Sequence, residues 1–136
     1  MSVILLVLIL SIWHGSSAKA PFGKYVVRTG DVCIETCWLS GDPIQISELI
    51  QCVYAELTSD LINIHGLSSP FTVDASSSAV RSEFVRRVKD WCEIDLSESL
   101  LEYSYDTSGD MVNSTFLNRS VTMRPGTCWN PGSSLE

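Results

Sequence analysis

The five cysteines of this chain all follow an apolar N-terminal segment, and this arrangement restricts the fold more than any other sequence feature. Residues 4–13 are almost entirely apolar, and the small residues Ser16 and Ala18 follow them. A short apolar run followed by small residues is typical of a secretory signal peptide. The run is also too short for a transmembrane helix, which needs about 20 apolar residues. We therefore predict a signal peptide at residues 1–18, cleavage after Ala18 and a secreted, extracellular protein.

Export to an oxidising compartment makes disulfide bonds the expected state of the cysteines in a small domain. The candidates are Cys33, Cys37, Cys52, Cys92 and Cys128. On a helix Cys33 and Cys37 would face the same side, which favours the pairs Cys37–Cys52 and Cys33–Cys92, with the exchanged pairing also open. Cys128 would then link two chains into a homodimer, bond to a partner or stay free. Alternatively, Cys128 ties the C-terminal segment to the domain and another cysteine is left over.

The spacing of apolar residues predicts a mainly α-helical domain over residues 19–136, a single small secreted domain stapled by disulfides, with an irregular C-terminal arm. Asp31 is a candidate N-cap for a short helix over residues 32–39, and Asp42-Pro43 is a start signal for a longer one. The apolar face of this long helix steps by three and four residues. It comprises Ile46, Ile50, Val53, Leu57, Leu61 and Ile64.

Two more helices are predicted further along the chain. Val80, Phe84, Val88 and Trp91 recur at helical spacing, and Asp95 is a candidate N-cap for a shorter helix. That shorter helix carries the apolar residues Leu96, Leu100 and Leu101. Beyond residue 105 the pattern weakens, with a turn signal at residues 106–110. Alternation over residues 121–124 indicates a short strand or an extended tail.

The formal net charge of −7 argues against nucleic acid or an anionic membrane as a partner, because both attract clustered cations. We interpret Arg81, Arg86, Arg87 and Lys89 as a possible partner-binding group, with an ordinary solvated helix face as the alternative. Residues 90–110 carry several carboxylates and no Lys or Arg. This acidic stretch is either a solvated face or a docking surface for a basic partner.

Asn113 and Asn118 each begin a sequon for N-glycosylation, so a glycoprotein is predicted. No spacing of ligands typical of a metal site is present, and no cofactor is expected. After removal of the signal peptide His65 is the one remaining histidine. Because no sequence typical of a catalytic nucleophile accompanies it, we do not predict an enzyme.

These observations favour a secreted, acidic, cysteine-containing protein that binds another protein as a signal, modulator or effector. One alternative is a carrier of a small apolar ligand, with a cavity among Ile46, Leu57, Val88 and Trp91. A second alternative is a small secreted hydrolase that uses His65, which requires a Ser or Asp beside that histidine in a cleft.

Overall fold

Antiparallel β-strands dominate residues 20–129, which are the residues that the computed structural model describes. The strands are β1 (Gly23–Thr29), β2 (Val32–Leu39), β3 (Ile44–Gln51), β4 (Glu56–Thr58), β5 (Ile62–His65), β6 (Phe71–Val73), β7 (Glu102–Asp106), β8 (Met111–Phe116) and β9 (Arg119–Pro125). A 3-10 turn (Ala75–Ser77) and helix α1 (Ser78–Cys92) lie between β6 and β7. The predicted signal peptide lies outside the described residues.

The strands close into an antiparallel barrel. Its eight members follow one another in the order β2, β1, β9, β8, β7, β6, β5 and β3, and β3 pairs again with β2. The short strand β4 adds to β3 beside this ring. The loops at residues 40–43, 66–70 and 107–110 lie at one end of the barrel, which we call the loop end. Helix α1 and residues 93–101 close the opposite end, the helix end, and within residues 20–129 no helix is long and apolar enough to cross a bilayer.

The prediction of a mainly helical fold is wrong, and strand β3 shows the reason. Ile44, Ile46 and Ile50 alternate on the inner face of this strand, and Glu48 holds the fourth inward position. A charged residue inside an alternating apolar run conceals the two-residue period. The four-residue step from Ile46 to Ile50 then fits a helix as well as a strand.

Beyond β3, the residues of the predicted long helix form a turn, strand β4 and strand β5. Val53 and Leu61, which would lie on its buried face, are exposed between strands. The predicted helix over residues 32–39 is strand β2, in which Ile34, Thr36 and Trp38 face the interior. β-branched and aromatic residues fit a pleated, half-buried surface. They therefore favour the strand over the helix that Asp31 suggested.

The helix predicted from Val80, Phe84 and Val88 is confirmed as α1, although its buried face differs in part from the prediction. Trp91 is 62% exposed, whereas Arg81 is buried. The other buried residues of this face are Phe84, Val88 and Cys92. The helix predicted after Asp95 is absent from the described chain, since residues 93–101 form a loop whose leucines at positions 96 and 100 are nevertheless buried.

The C-terminal third is also more regular than predicted. The turn at residues 106–110 and the strand through Val121 and Met123 are confirmed. In place of an irregular arm, however, strands β7, β8 and β9 form a three-stranded meander within the barrel. The irregular part of the described chain here is residues 126–129, which we call the C-terminal arm.

The disulfide bonds join Cys33 to Cys128 and Cys52 to Cys92, so both predicted pairing schemes are wrong. Cys33 and Cys37 do share a face, but it is the outer face of a strand. The C-terminal arm crosses that face and brings Cys128 to Cys33. A homodimer linked through Cys128 is therefore contradicted, and the alternative that Cys128 ties down the C-terminal segment is confirmed. Within residues 20–129 the one cysteine without a partner is Cys37.

Cys37 gives a direct test of this pairing. It points outward from β2, between Lys24 on β1 and Ser47 on β3, and is half-buried. We expect the non-reduced protein to be a monomer that takes up one iodoacetamide group, mapped by peptide mass to Cys37. A Cys37→Ser variant should take up none. A dimer that reduction separates, or label on Cys128, would contradict the observed pairing.

The C-terminal arm covers the outer surface of the first strands. Cys128 packs with Cys33 and Leu49 in a small apolar cluster outside the barrel. Its backbone N–H donates to Oε1 of the buried Glu35 at 3.1 Å. Its carbonyl accepts from the guanidinium of Arg28 at 3.2 Å. The arm is therefore fixed by a covalent bond and by two hydrogen bonds that involve charged groups, which are the stronger kind.

Candidate functional site

Large side chains fill the interior of the barrel. Trp38 packs edge-to-face against Phe71 and Tyr103, with ring centroids 5.7 and 5.3 Å apart. These three residues, together with Ile34, Ile46, Ile50, Ile62 and Met123, have no solvent-accessible surface. An eight-stranded barrel is just wide enough to be filled in this way or to hold one small ligand. In the part of the chain that the structure describes, side chains fill the interior of the barrel.

The residues predicted to surround a ligand cavity do not lie around a common space. Ile46 and Val88 are fully buried in the packed core, where no water-sized void touches them. Leu57 is half-buried on β4, and Trp91 projects into solvent from the last turn of α1. The geometry of these four residues therefore gives no support to the carrier alternative.

One ion pair lies inside the core, between the helix and the barrel. Nε of Arg81 donates to Oε1 of Glu48 at 3.1 Å, and both side chains are almost completely buried. The same guanidinium donates to the carbonyl of Ser99 at 2.6 Å and to that of Leu96 at 3.4 Å. The hydroxyl of Tyr103 also donates to Oε1 of Glu48, at 3.4 Å.

This cluster fastens α1 to the barrel and offers no accessible group for chemistry. Burial raises the pKa of Glu48 above its ordinary value, while the charge of Arg81 acts in the opposite direction. Among the described residues Oε2 of Glu48 has no hydrogen-bond partner. A buried charge of this kind is costly unless its partner remains in place. The pair therefore holds the helix in one position.

His65 lies where the hydrolase alternative requires it, but the hydrogen bonds do not form a catalytic triad. Its Nδ1 is 3.7 Å from Oδ1 of Asp74, and both residues line a cleft. The Ser76 hydroxyl donates to Asp74 and not to the imidazole. This bond and a second one from the backbone N–H of Ser76 lower the pKa of the Asp74 carboxyl. A serine nucleophile needs the imidazole as its base. The His65 side chain is also 77% exposed, so solvent surrounds most of the imidazole.

Apolar side chains are exposed together at the loop end. Phe22 is 70% exposed and Leu67 is 91% exposed, and both line one cleft of about 390 Å³ with Ile44 at its side. The cleft is otherwise formed by Ala20, Pro21, Ser40 and Gly41. We call residues 20–22, 40–44 and 65–67 the loop-end surface. Burial of a Leu or Phe side chain contributes about 1.5–3 kcal/mol, so these two residues hold binding energy that the isolated chain does not use.

A glycine fixes the position of Leu67. Gly66 has φ +117°, a conformation that side chains rarely adopt. A Cβ at this position would also lie 3.2 Å from the carbonyl oxygen of Pro70. The turn that exposes Leu67 to solvent therefore requires glycine at position 66, and this tight turn fixes the direction in which the chain enters Leu67.

A second cleft continues the loop-end surface on its polar side. It has a volume of about 660 Å³ and shares Gly41, Ile44 and Leu67 with the first cleft. Asp42, Asn63, His65, Asp74 and Ser76 supply its polar groups. An apolar centre bordered by polar groups is the usual arrangement of a protein-binding surface. Within residues 20–129 no group of three His, Cys, Asp or Glu side chains could hold a metal ion.

The four cations proposed as a partner-binding group do not form one surface. Arg81 points into the core, and Arg86 pairs with Glu83 and Asp90 on the exposed face of α1. The guanidinium of Arg87 donates to the carbonyl of Thr58 at 3.1 Å and lies over the ring of Phe84. Lys89 remains exposed nearby. The acidic stretch after the helix is likewise exposed, at Glu93, Asp95, Glu98 and Glu102.

Both sequons lie on the β8–β9 hairpin. Asn118 is exposed in its two-residue turn, where it has φ +65°. Asn113 is half-buried on β8, and its side-chain oxygen accepts from the hydroxyl of Thr122 at 2.7 Å. Asn118 is therefore the more accessible of the two candidate glycosylation sites.

These features define a small, disulfide-bonded, antiparallel β-barrel with a filled interior, one end closed by a helix and exposed apolar residues at the other. No protein-family model matches the chain, and neither does any curated protein or solved structure.

Proposed function

We propose that this chain is a secreted protein that acts by binding another protein through its loop-end surface. The observation that carries the proposal is that Phe22, just before β1, and Leu67, in the loop between β5 and β6, are both exposed and line the same cleft. A few residues near the centre of an interface contribute most of the binding energy, and burial of a Leu or Phe side chain there contributes about 1.5–3 kcal/mol. Two disulfides within the chain are compatible with an oxidising, extracellular location.

The polar border of the surface indicates the character of the partner. Asp42 and Asp74 flank the apolar cleft, and the hydrogen bonds from Ser76 keep the pKa of Asp74 low, so this carboxyl is charged at neutral pH. Charge complementarity at the border of an interface mainly sets association rate and partner choice. A partner with an apolar projection next to Lys or Arg fits this surface.

The test uses single substitutions at the two exposed apolar residues. The wild-type protein is first screened against displayed extracellular proteins to identify its binders, and affinities are then measured by surface plasmon resonance. Loss of about 2 kcal/mol of buried apolar contact should weaken binding by about 30-fold in Leu67→Ser and in Phe22→Ser. Thermal stability should stay unchanged, because both side chains are exposed in the free protein.

The matched control is Tyr54→Ser, which changes an equally exposed aromatic residue between β3 and β4, at the helix end. This variant should bind as the wild type does. The proposal fails if binding depends on Tyr54 and is indifferent to Phe22 and Leu67. It also fails if the screen yields no binder that responds to either loop-end substitution.

A further inference from the structure

Three junctions of the barrel have ladders of two residue pairs: β5–β6 and β6–β7, where strand β6 is itself short, and the junction between the longer strands β1 and β9. Their ladder consists of two residue pairs, Tyr25–Pro125 and Val26–Arg124. By comparison, β1 pairs with β2 over seven residues and β8 pairs with β9 over five. Beyond the two pairs β1 continues to Thr29, and a cleft of about 650 Å³ opens between the two strands. We call this space the seam cleft; it is lined by residues 27–29, 116–117 and 119–122.

The backbone groups that face the seam cleft follow from the hairpin turns. Two-residue turns join β1 to β2 and β8 to β9, so the closing pairs Thr29–Val32 and Phe116–Arg119 are the hydrogen-bonded ones. Backbone groups alternate along a strand, and the next residues therefore point to the opposite side. A hydrogen bond from the N–H of Gly126 to the carbonyl of Lys24 agrees with this assignment for β1.

It follows that Arg28 on β1 directs its N–H and C=O towards the seam, as do Ser120 and Thr122 on β9. These positions lie outside the two-pair ladder. Strand edges whose donors and acceptors are not in a ladder are templates for another extended chain. The seam cleft therefore presents two such edges that face each other.

The side chains of the cleft suit an extended peptide as well. Val27 and Val121 are half-buried and Phe116 is buried, so they form an apolar floor. The hydroxyl-bearing residues on β9, Ser120 and Thr122, are exposed at its rim. Alternate side chains of an added strand would point to the floor and to solvent, since successive residues face opposite sides.

The charges around the seam are unusual for so acidic a chain. Residues 20–129 contain eight Lys and Arg side chains, four on α1 and four on β1 and β9. The second group is Lys24, Arg28, Arg119 and Arg124, and none of them lies within 4.0 Å of a carboxylate among the described residues. Of these, Arg28 and Arg119 line the cleft itself. The cleft therefore carries positive charge on a protein whose net charge is negative.

From these observations we propose that the seam cleft binds an extended, acidic segment of a partner protein, which adds as a strand between the edges of β1 and β9. Main-chain hydrogen bonds supply affinity in this mode of recognition, and side-chain pockets and charges supply specificity. Residues 119–122 span roughly 13 Å at about 3.3 Å per residue, so a segment of roughly four residues occupies the cleft. This site is separate from the loop-end surface and does not depend on it.

The test measures fluorescence polarisation of labelled seven-residue peptides with glycosidase-treated protein, because Asn113 lies opposite Thr122 in the hairpin. The first peptide alternates glutamate with valine and has threonine at both ends. The second replaces glutamate by lysine, and the third is the first with N-methylated central amides. We expect the first peptide to bind and each of the others to bind at least about tenfold more weakly.

Two substitutions locate the site on the protein. Arg119→Ala should weaken binding of the acidic peptide by about tenfold, because it removes a cation that lines the cleft. Lys89→Ala removes an exposed cation from α1 and should leave peptide binding unchanged. Leu67→Ser should also leave it unchanged, so failure of this proposal and failure of the loop-end proposal are distinguishable.

Several results would overturn the proposal. Equal binding of the acidic and lysine peptides would remove the role of charge, and equal binding of the N-methylated peptide would remove strand addition. An Arg119→Ala variant with wild-type affinity would place the site elsewhere. Binding of a heparin tetrasaccharide in the absence of any peptide binding would assign the cleft to a sulfated glycan instead.

Discussion

Replacement of Arg81 by methionine is expected to lower the unfolding free energy by about 3–5 kcal/mol, because it leaves the Glu48 carboxyl buried without its cation. Glu48 is fully buried, and without Arg81 the remaining hydrogen bond of its carboxyl is the 3.4 Å bond from the hydroxyl of Tyr103. The double variant Glu48→Leu/Arg81→Met should recover most of this loss, since no charge then remains in the core. Urea unfolding at neutral pH followed by tryptophan fluorescence measures all three proteins.

The loss should depend on pH in a direction fixed by the pKa of Glu48. Burial raises this pKa above its ordinary value of 4.5, and removal of Arg81 raises it further. The folded variant then holds a proton that the unfolded chain has released, so its unfolding free energy falls as the pH rises from 4.5 through the raised pKa. Its deficit relative to wild type should therefore be smallest near pH 4 and largest at neutral pH.

The matched control is Arg86→Met, which makes the same change on the exposed face of the same helix. Arg86 pairs with exposed carboxylates, and such pairs contribute little because water screens them. We expect a far smaller change, with little of the pH dependence. If Arg81→Met and Arg86→Met cost the same, the buried pair does not hold the helix in place.

Removal of the Cys33–Cys128 disulfide should have an effect of similar size. The bond joins residues separated by 95 positions, and restriction of so large a loop in the unfolded chain contributes about 4–5 kcal/mol. We therefore expect the Cys33→Ala/Cys128→Ala variant to unfold at a much lower urea concentration. Release of the C-terminal arm would also expose Leu49 and the buried Glu35.

Cys37→Ala is the control for this experiment. It removes a cysteine from the same strand, but one that has no partner among the described residues. This variant should unfold close to wild type. A larger loss in Cys37→Ala than in the double variant would mean that Cys37, and not Cys33, forms the stabilising bond.

The sequence allowed helix α1 to be predicted, and the odd number of cysteines correctly indicated that one of them has no partner within residues 20–129. The barrel was not predicted. Helix α1 has a continuous run of helical spacing from Val80 to Val88, and no glycine or proline interrupts it. The strands are short, and their alternation is broken wherever both faces are buried. On β2, for example, Cys33 and Glu35 are buried outside the barrel by the arm, while Ile34 and Thr36 are buried inside. A sequence pattern cannot indicate that a segment far along the chain covers the second face.

The surfaces proposed for binding were not predicted from the sequence either, and the reason is physical. Leu67 stands in a loop between Gly66 and Ser68, and an apolar residue in a turn was a signal that could have been used. Its closeness to Phe22, and the seam between β1 and β9, depend on which strands become neighbours when the barrel closes. The cations of α1 were visible in the sequence, but Arg81 is buried because it forms an ion pair with Glu48 of β3. The sequence did not show this pairing.

The short ladder between β1 and β9 has a consequence for the order in which the molecule is assembled. The C-terminal arm leaves β9, passes β1 and reaches Cys33 on β2, so the disulfide spans the junction of these two strands, whose ladder has two residue pairs. Contacts between residues so far apart in sequence form late and slowly. The Cys33–Cys128 bond can therefore form only after all nine strands have been synthesised. Oxidation at an earlier stage would join Cys33 to a cysteine other than its native partner.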